Sequence, residues 1–386
     1  MQEETILVVD DELANLQKLH RTFVHRHPVL SANSGRDALE IIHQNKEIAV
    51  IIADQRMPDM TGVELLRQTL DVLPHAIRII LTGFIDVDVL IEAINSCKVY
   101  RYIVKPWDPP DLLMTVERGL EAYRLTEENE RFRKELVRRE RLARELEIAR
   151  EIQVSLEPEQ LPVFPWLSIS FFSKPAKIVG GDFFNVVKRN GNQMLSIVGD
   201  VSGKGIPAAL YAAHIQSMFE SLSQQSTSPA DILSGLNHLI CKRLREGDFI
   251  TAVIAFLESE KKSLTIARAG HNWPLYYCAQ TGTIAPLKTK GVCLGVDQEK
   301  AFSSCLEERS MPLKSGDVLL LYSDGITEAM NAGRHLFDQS RLEAALKESA
   351  HFPADKIVER INLRLDEFIQ SEELHDDVTM VAIKIK

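Results

Sequence analysis

Across residues 5–123 a short apolar run, a cluster of turn residues and a helix-period segment recur five times. That rhythm specifies a parallel sheet wound with helices on both faces. The runs are 6–9, 28–30, 50–53, 77–81 and 102–104, and four of them end on residues with chemistry: Asp10 and Asp11, Asp54, Thr82, and Lys105. In an open parallel sheet the carboxyl ends of the strands form the crevice where ligands bind. A strand-end Asp alone is most often a helix cap, and a Lys before Pro is most often solvated. Three carboxylates at one sheet edge, however, repel one another unless a hard divalent cation such as Mg²⁺ sits among them.

The stretches V-V-D-D-E, I-I-A-D-Q-R-M-P-D-M-T-G, I-L-T-G and Y-I-V-K-P-W resemble the receiver domain of two-component response regulators. The resemblance implies a CheY-like, flavodoxin-like fold in which Asp54 accepts a phosphoryl group from a histidine kinase. It implies that Asp10, Asp11, Asp54 and the backbone carbonyl of Arg56 hold Mg²⁺, and that Thr82 and Lys105 bind the phosphoryl oxygens. Thr82 and Tyr102 look like the family's switch pair, although Tyr102 also reads as a half-buried strand aromatic. The Lys105-Pro106 bond is a candidate cis peptide.

Residues 108–156 open with Asp108-Pro109-Pro110-Asp111 and carry no further Pro and a single Gly, Gly119, which predicts one long helix. Opposite charges alternate along it, including Glu130 with Lys134 and Glu140 with Arg144 at i,i+4. A stripe of Leu125, Asn129, Phe132 and Leu136, then Leu142, Leu146, Ala149 and Leu156, has three- and four-residue steps that suggest coiled-coil contacts and a homodimer. A solvated monomeric helix is the competing reading, since the register breaks between Leu136 and Leu142.

Beyond Pro158 the pattern turns β-rich, with strands expected at 167–173, 193–199, 249–257, 263–269, 317–323 and 378–385 and helices near 205–223, 229–246, 339–349 and 353–370. This is an α+β domain, an antiparallel β-sandwich flanked by helices. Acidic residues recur at strand ends in Gly-rich settings: Gly180-Gly181-Asp182, Gly199-Asp200-Val201, Ser323-Asp324-Gly325 and Asp376-Asp377-Val378-Thr379. One Asp-Gly is usually a turn; four such motifs against apolar strands favour a carboxylate-lined site.

With A-R-E-I-Q-V-S-L-E-P, A-G-H-N-W-P-L and S-G-D-V-L-L-L-Y-S-D-G-I-T-E-A, these motifs resemble the metal-dependent type 2C protein phosphatases, and more closely the SpoIIE-like and RsbU-like sigma-regulator branch, over about residues 147–386. The resemblance implies two Mn²⁺ or Mg²⁺ ions held by Asp182, Asp200, Asp324, Asp376, the backbone carbonyl of Val201 and, as a further partner, Asp377. It implies hydrolysis of phosphoserine or phosphothreonine by a water whose pKa the ions lower. The usual G-G-D-F-Y-D reads G-G-D-F-F-N here, with Phe184 and Asn185 in the last two places. Lys174, Lys177 and Lys204 are candidate phosphate-binding cations, and His271 and His375 read as general acids or, more commonly for a strand-end His, as structural residues.

The expected organisation is a receiver at 1–123, a helical linker at 124–157 and a phosphatase domain at 158–386. The expected partners are a histidine kinase, a phosphorylated protein substrate of the STAS-type anti-sigma-factor antagonist class, and a second copy of the chain. A non-catalytic pseudophosphatase adaptor for a sigma or anti-sigma factor is the alternative. A formal net charge of -10 and an acidic final helix argue against nucleic acid. No apolar run reaches membrane-spanning length and no leader-like segment opens the chain, so a cytoplasmic location is expected. The five cysteines, odd in number and without a C-x-x-C pair, read as small core residues rather than disulfides or a zinc site.

Overall fold

The structure is a computed structural model that describes residues 4–45, 47–83, 97–158, 160–189, 192–296, 299–370 and 372–386. The chain divides into two compact units, residues 1–140 and 141–386.

In the first unit β1 (Thr5–Val9), β2 (Val29–Ala32), β3 (Ile48–Asp54), β4 (Ile77–Thr82) and β5 (Arg101–Val104) form one parallel sheet in the order β2-β1-β3-β4-β5. The order reverses between β1 and β3, which makes their carboxyl ends the natural ligand crevice. Side chains alternate between two cores. Leu7, Val9, Ile51 and Ala53 pack toward α2 (Gly35–Gln44) and α3 (Gly62–Gln68). Ile6, Val8, Val50 and Ile52 pack toward α1 (Leu13–Phe23) and the first turns of α4 (Pro109–Ser155). Each large aliphatic side chain buried this way contributes about 1.5–3 kcal/mol. Ser34 caps α2, and Thr61 with Glu64 forms a reciprocal cap on α3. The helix expected between β4 and β5 falls on residues 84–96, outside the described residues. The Lys105-Pro106 bond is cis.

One side chain breaks the apolar pattern of β4. Arg78 is fully buried and donates to Thr69 Oγ1 and to the carbonyls of Thr69, Leu73 and Ala76. Its charge is therefore dissipated over three carbonyl dipoles, of which those of Thr69 and Leu73 also accept the backbone N–H groups of Leu73 and Ala76.

The helix α4 matches the expected single helix, and its buried residues Leu112, Val116 and Leu120 lie in its first turns. From 131 to 145 every side chain is exposed, including Phe132, Leu136 and Leu142 with more than half of their surface open. The ion pairs formed are Glu135 with Arg139 and Arg141 with Glu145, not the expected Glu130–Lys134 and Glu140–Arg144. Exposed pairs are worth so little that neighbouring charges exchange partners freely. Leu156 lies beyond the last helical residue.

Among its described residues the second unit holds ten strands in two antiparallel sheets. One sheet runs β13 (Arg309–Pro312), β10 (Ser263–Ala269), β9 (Ile250–Glu258), β8 (Gln193–Val201), β7 (Phe183–Arg189). The other runs β12 (Thr283–Pro286), β11 (Leu275–Cys278), β14 (Val318–Tyr322), β15 (Val378–Ile385), β6 (Leu167–Lys174). Phe184, Val198 and Val253 meet Leu319, Val381 and Ile383 in the core between the sheets. The outer face of the first sheet is covered by α5 (Ile206–Ser223) and α6 (Pro229–Ile240), with α7 (Glu299–Cys305) beside them. The outer face of the second is covered by α9 (Asp338–Ser349) and α10 (Ala354–Ile369). A short α8 (Asp324–Thr327) follows β14. This is the expected sandwich, with corrections. The strands β7, β11, β12 and β13 were not anticipated, and α6 stops at Ile240 rather than 246. Of the cysteines only Cys97 is buried; Cys305 is exposed and the other three are half-buried.

Two candidate acidic sites

At the β1/β3 edge of the receiver-like unit, Asp10 and Asp54 are buried and Asp11 is exposed. One carboxylate oxygen from each lies within 4.8 Å of the others, the only such trio among the described residues. The Lys105 ammonium stands 2.8 Å from Asp10 Oδ2 and 2.7 Å from Asp54 Oδ1. Asp10 Oδ1 accepts from the Glu12 N–H and Asn15 Nδ2. Burial raises the Asp54 carboxyl above the usual range and Asp10 adds to this, against the Lys105 ammonium and the Arg56 backbone. Burial opposes the charge on Lys105, but hydrogen bonds to Asp10 and Asp54 hold it above its ordinary value. Thr82 is buried at the end of β4 and Tyr102 is half-buried on β5. The crevice thus collects more carboxylate than one ammonium neutralises, and its all-oxygen donors suit a hard divalent cation.

In the second unit Asp182 precedes β7, Asp200 lies near the end of β8, Asp324 opens α8 directly after β14, and Asp376 and Asp377 precede β15. The sandwich therefore brings the four motifs together where the ends of both sheets meet. Asp182 accepts from Ser323 Oγ at 2.7 Å, and the same hydroxyl receives the Thr379 N–H. Asp377 is engaged differently. Its oxygens accept from the N–H groups of Ala176, Gly181 and Asp182, so it anchors the loop that carries Asp182. A Cβ on Gly180 would lie 2.5 Å from Asp377 Oδ2, and one on Gly325 would lie 1.9 Å from the Asp377 carbonyl oxygen. These glycines are required by close packing rather than by hairpin turns.

The charges are strongly frustrated. Burial and then the Asp324, Asp376 and Asp377 carboxylates push Asp200 up to about 7. Burial, and then Asp200, hold Asp182 well above the usual carboxylate range. Asp324 is raised by burial and Asp376. Among the described residues Lys204, 3.0 Å from Asp376, is the one cation that pairs with these five carboxylates. No three of these aspartates come within the 4.8 Å spacing of the trio in the first unit.

The remaining predicted residues divide as follows. Phe184 is buried and packs on Phe171 with ring centroids 4.3 Å apart, while Asn185 accepts from the Val186 N–H; neither joins the acidic cluster. His271 is buried with Nδ1 2.8 Å from Thr251 Oγ1, and burial lowers it to about 4, so it is neutral at pH 7. His375 is exposed, and its carbonyl accepts from Lys204 Nζ. Sequence reasoning missed Ser323, although it stands beside Asp324 in the S-D-G motif, and it missed Gln153. The Gln153 side-chain amide donates to the Gly180 carbonyl at 2.8 Å and accepts the Gly180 N–H at 3.2 Å. Nearby, Arg150 donates to the Ile178 carbonyl at 3.1 Å. Arg150, Gln153, Asp182 and Asp377 line one cavity of about 240 Å³.

Residues 190–386 match the sequence model of the family described as Stage II sporulation protein E (SpoIIE), and residues 6–117 match the response regulator receiver domain. The phosphoserine phosphatase RsbU of Bacillus subtilis (strain 168) is 32% identical over 223 residues, covering 57% of this chain and 64% of RsbU. The hydrogenase transcriptional regulatory protein HoxA of Cupriavidus necator is 37% identical over 134 residues, covering 35% of this chain and 28% of HoxA. The chain thus spans less than two thirds of the length of either relative. Among solved structures, the SiaA-PP2C domain of Pseudomonas aeruginosa superposes with a TM-score of 0.57 at 20% identity, over 65% of this chain and 98% of that one, a likeness of fold. No helix among the described residues is long and apolar enough to cross a membrane. With the SpoIIE model matching 190–386, just over half of the 386 residues, behind a receiver domain at 6–117, the chain belongs to the SpoIIE family.

Proposed function

We propose that this protein is a response regulator whose receiver, phosphorylated on Asp54 by a histidine kinase, controls a metal-dependent phosphatase acting on phosphoserine or phosphothreonine of a partner protein. The partner is of the anti-sigma-factor antagonist class. RsbU, named a phosphoserine phosphatase, supports the phosphoserine chemistry; the partner's class follows from the resemblance to the sigma-regulator branch. The observation that carries the reading is the carboxylate cluster of Asp182, Asp200, Asp324 and Asp376, in which burial, and then the neighbouring carboxylates, push Asp200 up to about 7. The assigned organisation is a receiver at 1–123, a linker at 124–157 and a phosphatase domain at 158–386, with dimerisation through the exposed apolar stripe of the linker.

In the receiver, an Asp54 carboxylate oxygen forms the new bond to phosphorus as the phosphorus–nitrogen bond of the kinase phosphohistidine breaks. Asp10, Asp11, Asp54 and the Arg56 carbonyl would hold Mg²⁺, while Lys105 and Thr82 receive the phosphoryl oxygens and Tyr102 responds to Thr82. In the phosphatase domain Asp182, Asp200, Asp324, Asp376 and the Val201 carbonyl would hold two Mn²⁺ or Mg²⁺ ions. Asp377 fixes the Asp182 loop and offers its remaining lone pairs. When bound, the ions supply Lewis acidity toward the phosphoryl oxygens and lower the pKa of the attacking water. Ser323 orients Asp182. Gln153, at the end of α4, grips Gly180 two residues before Asp182, which gives a displacement of the linker a direct route to the acidic cluster.

The test is Mn²⁺-dependent hydrolysis of p-nitrophenyl phosphate and of a phosphoserine protein by wild type and Asp200→Asn. Turnover by wild type and none by the variant is expected. If metal-loaded wild type is no faster than Asp200→Asn on either substrate, the domain is a binding adaptor instead.

A further inference from the structure

Lys204 sits on the loop between β8 and α5, flanked by Gly203 and Gly205 with φ of +90° and +83°. Nothing lies within 4 Å of where a Cβ would project from either glycine, so these residues serve the backbone path and not packing. The path turns the Lys204 side chain over the aspartates. Its base is fixed by two bonds between Ser202 and Phe249, the Ser202 N–H to the Phe249 carbonyl and the Phe249 N–H to Ser202 Oγ. The ammonium lies 3.0 Å from Asp376 Oδ2 and donates to the His375 carbonyl. Of its three N–H donors two are engaged, and the side chain is half-exposed.

That arrangement is poor as a permanent strut. An ion pair this exposed is weakly held, and its carboxylate partner is one that the phosphatase reading assigns to a cation. With Asp376 committed to a divalent cation, Lys204 would face less negative charge and its ammonium would lose the carboxylate it now pairs with. A tetrahedral dianion brought to the same place offers oxygens to a freed, flexible point charge with three donors. Lys174 and Lys177 make no ion pair with these aspartates among the described residues. Arg150 lines the cavity beside Asp182, but it spends a donor on the Ile178 carbonyl.

We propose that Lys204 is the substrate-contacting cation of this site: it exchanges Asp376 for the phosphoryl oxygens of a phosphomonoester once the carboxylates carry metal. The proposal rests on the phosphatase reading for its substrate class, and it assigns a residue that neither the metal-holding aspartates nor the loop anchors supply.

The test measures binding as well as turnover. Full-length wild type, Lys204→Gln, Lys204→Arg and Arg150→Gln are titrated calorimetrically, first with Mn²⁺ and then, Mn²⁺-loaded, with inorganic phosphate. Circular dichroism checks that each variant is folded. Losing one charge-assisted contact should weaken phosphate binding about 10-fold or more in Lys204→Gln, with Mn²⁺ affinity unchanged or tighter because a competing cation is gone. Lys204→Arg and Arg150→Gln should stay within about 3-fold of wild type, a smaller change than that loss. In turnover, Lys204→Gln should raise KM for p-nitrophenyl phosphate. Unchanged phosphate affinity in Lys204→Gln, a loss of Mn²⁺ affinity that accounts for its phosphate defect, or a loss confined to Arg150→Gln would each overturn the proposal. Wild type that binds Mn²⁺ and phosphate through Lys204 yet hydrolyses no phosphomonoester sinks the phosphatase reading and keeps the contact. Hydrolysis with Lys204→Gln indistinguishable from wild type does the reverse.

Discussion

Replacing Asp200 by Asn should make the metal-free protein more stable while destroying its capacity to bind metal. The Asp200 carboxyl stands at about 7 in the folded chain against 3.8 in the unfolded one. A carboxyl raised on folding carries no penalty below pH 4, where it is protonated in both states. The penalty grows as pH rises from about 4 to about 7 and is constant above. Its ceiling at pH 8 is about 4 kcal/mol for that displacement. Because the neighbouring carboxylates share protons with Asp200, about half of it, about 2 kcal/mol, is a fair expectation. For a unit of this size that is about 4–8 °C in Tm. The assay is thermal unfolding in EDTA at pH 5 and pH 8, then with saturating Mn²⁺. Asp200→Asn should exceed wild type at pH 8, exceed it by less than half as much at pH 5, where the penalty has only partly developed, and fail to gain the Mn²⁺ stabilisation that wild type shows. A variant less stable than wild type at both pH values in EDTA would refute the claim that crowded charge, awaiting a cation, dominates this site.

Other perturbations test separate parts of the account. Ser323→Ala removes the donor to Asp182 and the acceptor of the Thr379 N–H; it should cost about 1–3 kcal/mol in urea unfolding and weaken Mn²⁺ binding. Gln153→Leu breaks both bonds to Gly180 and should lower Mn²⁺ affinity, read by calorimetry, with global stability falling by only about 1–2 kcal/mol. Lys105→Ala should abolish phosphorylation by acetyl phosphate in a mobility-shift gel, since the ammonium contacts both Asp10 and Asp54. Arg78→Met should destabilise the receiver by about 3 kcal/mol in denaturant unfolding, because four buried charge-assisted hydrogen bonds to Thr69, Leu73 and Ala76 are lost.

Much of the architecture was readable because burial imposes periods on sequence. In the parallel sheet both faces are covered, so β3 is an unbroken apolar run and its polar ends stand out. The strands missed in the sandwich had no such signature. Both β12 and β13 are four-residue edge strands with one mostly exposed face, and β7 runs straight out of the glycine loop with a polar Asn185 in its middle. The helix α6 was drawn too long because apolar and basic residues continue its period past Ile240, whereas the backbone turns at Cys241–Leu244. The aspartates of the site were visible as strand-end motifs. Their support was not: Ser323 reaches Asp182 across 141 positions and Asp377 reaches Gly181 across 196, and contacts so distant in sequence leave no local pattern. Gln153 lay inside the A-R-E-I-Q-V-S-L-E-P stretch, but nothing there marks it as the residue that reaches Gly180.

The central claim, that the receiver governs the phosphatase through Asp54, is tested most directly by following Mn²⁺-dependent hydrolysis of a phosphoserine protein by full-length wild type and Asp54→Ala, each with and without acetyl phosphate. The account predicts that acetyl phosphate changes the rate of wild type and leaves Asp54→Ala unaltered. Equal rates with and without acetyl phosphate in a wild-type protein shown to be phosphorylated on Asp54 would contradict it.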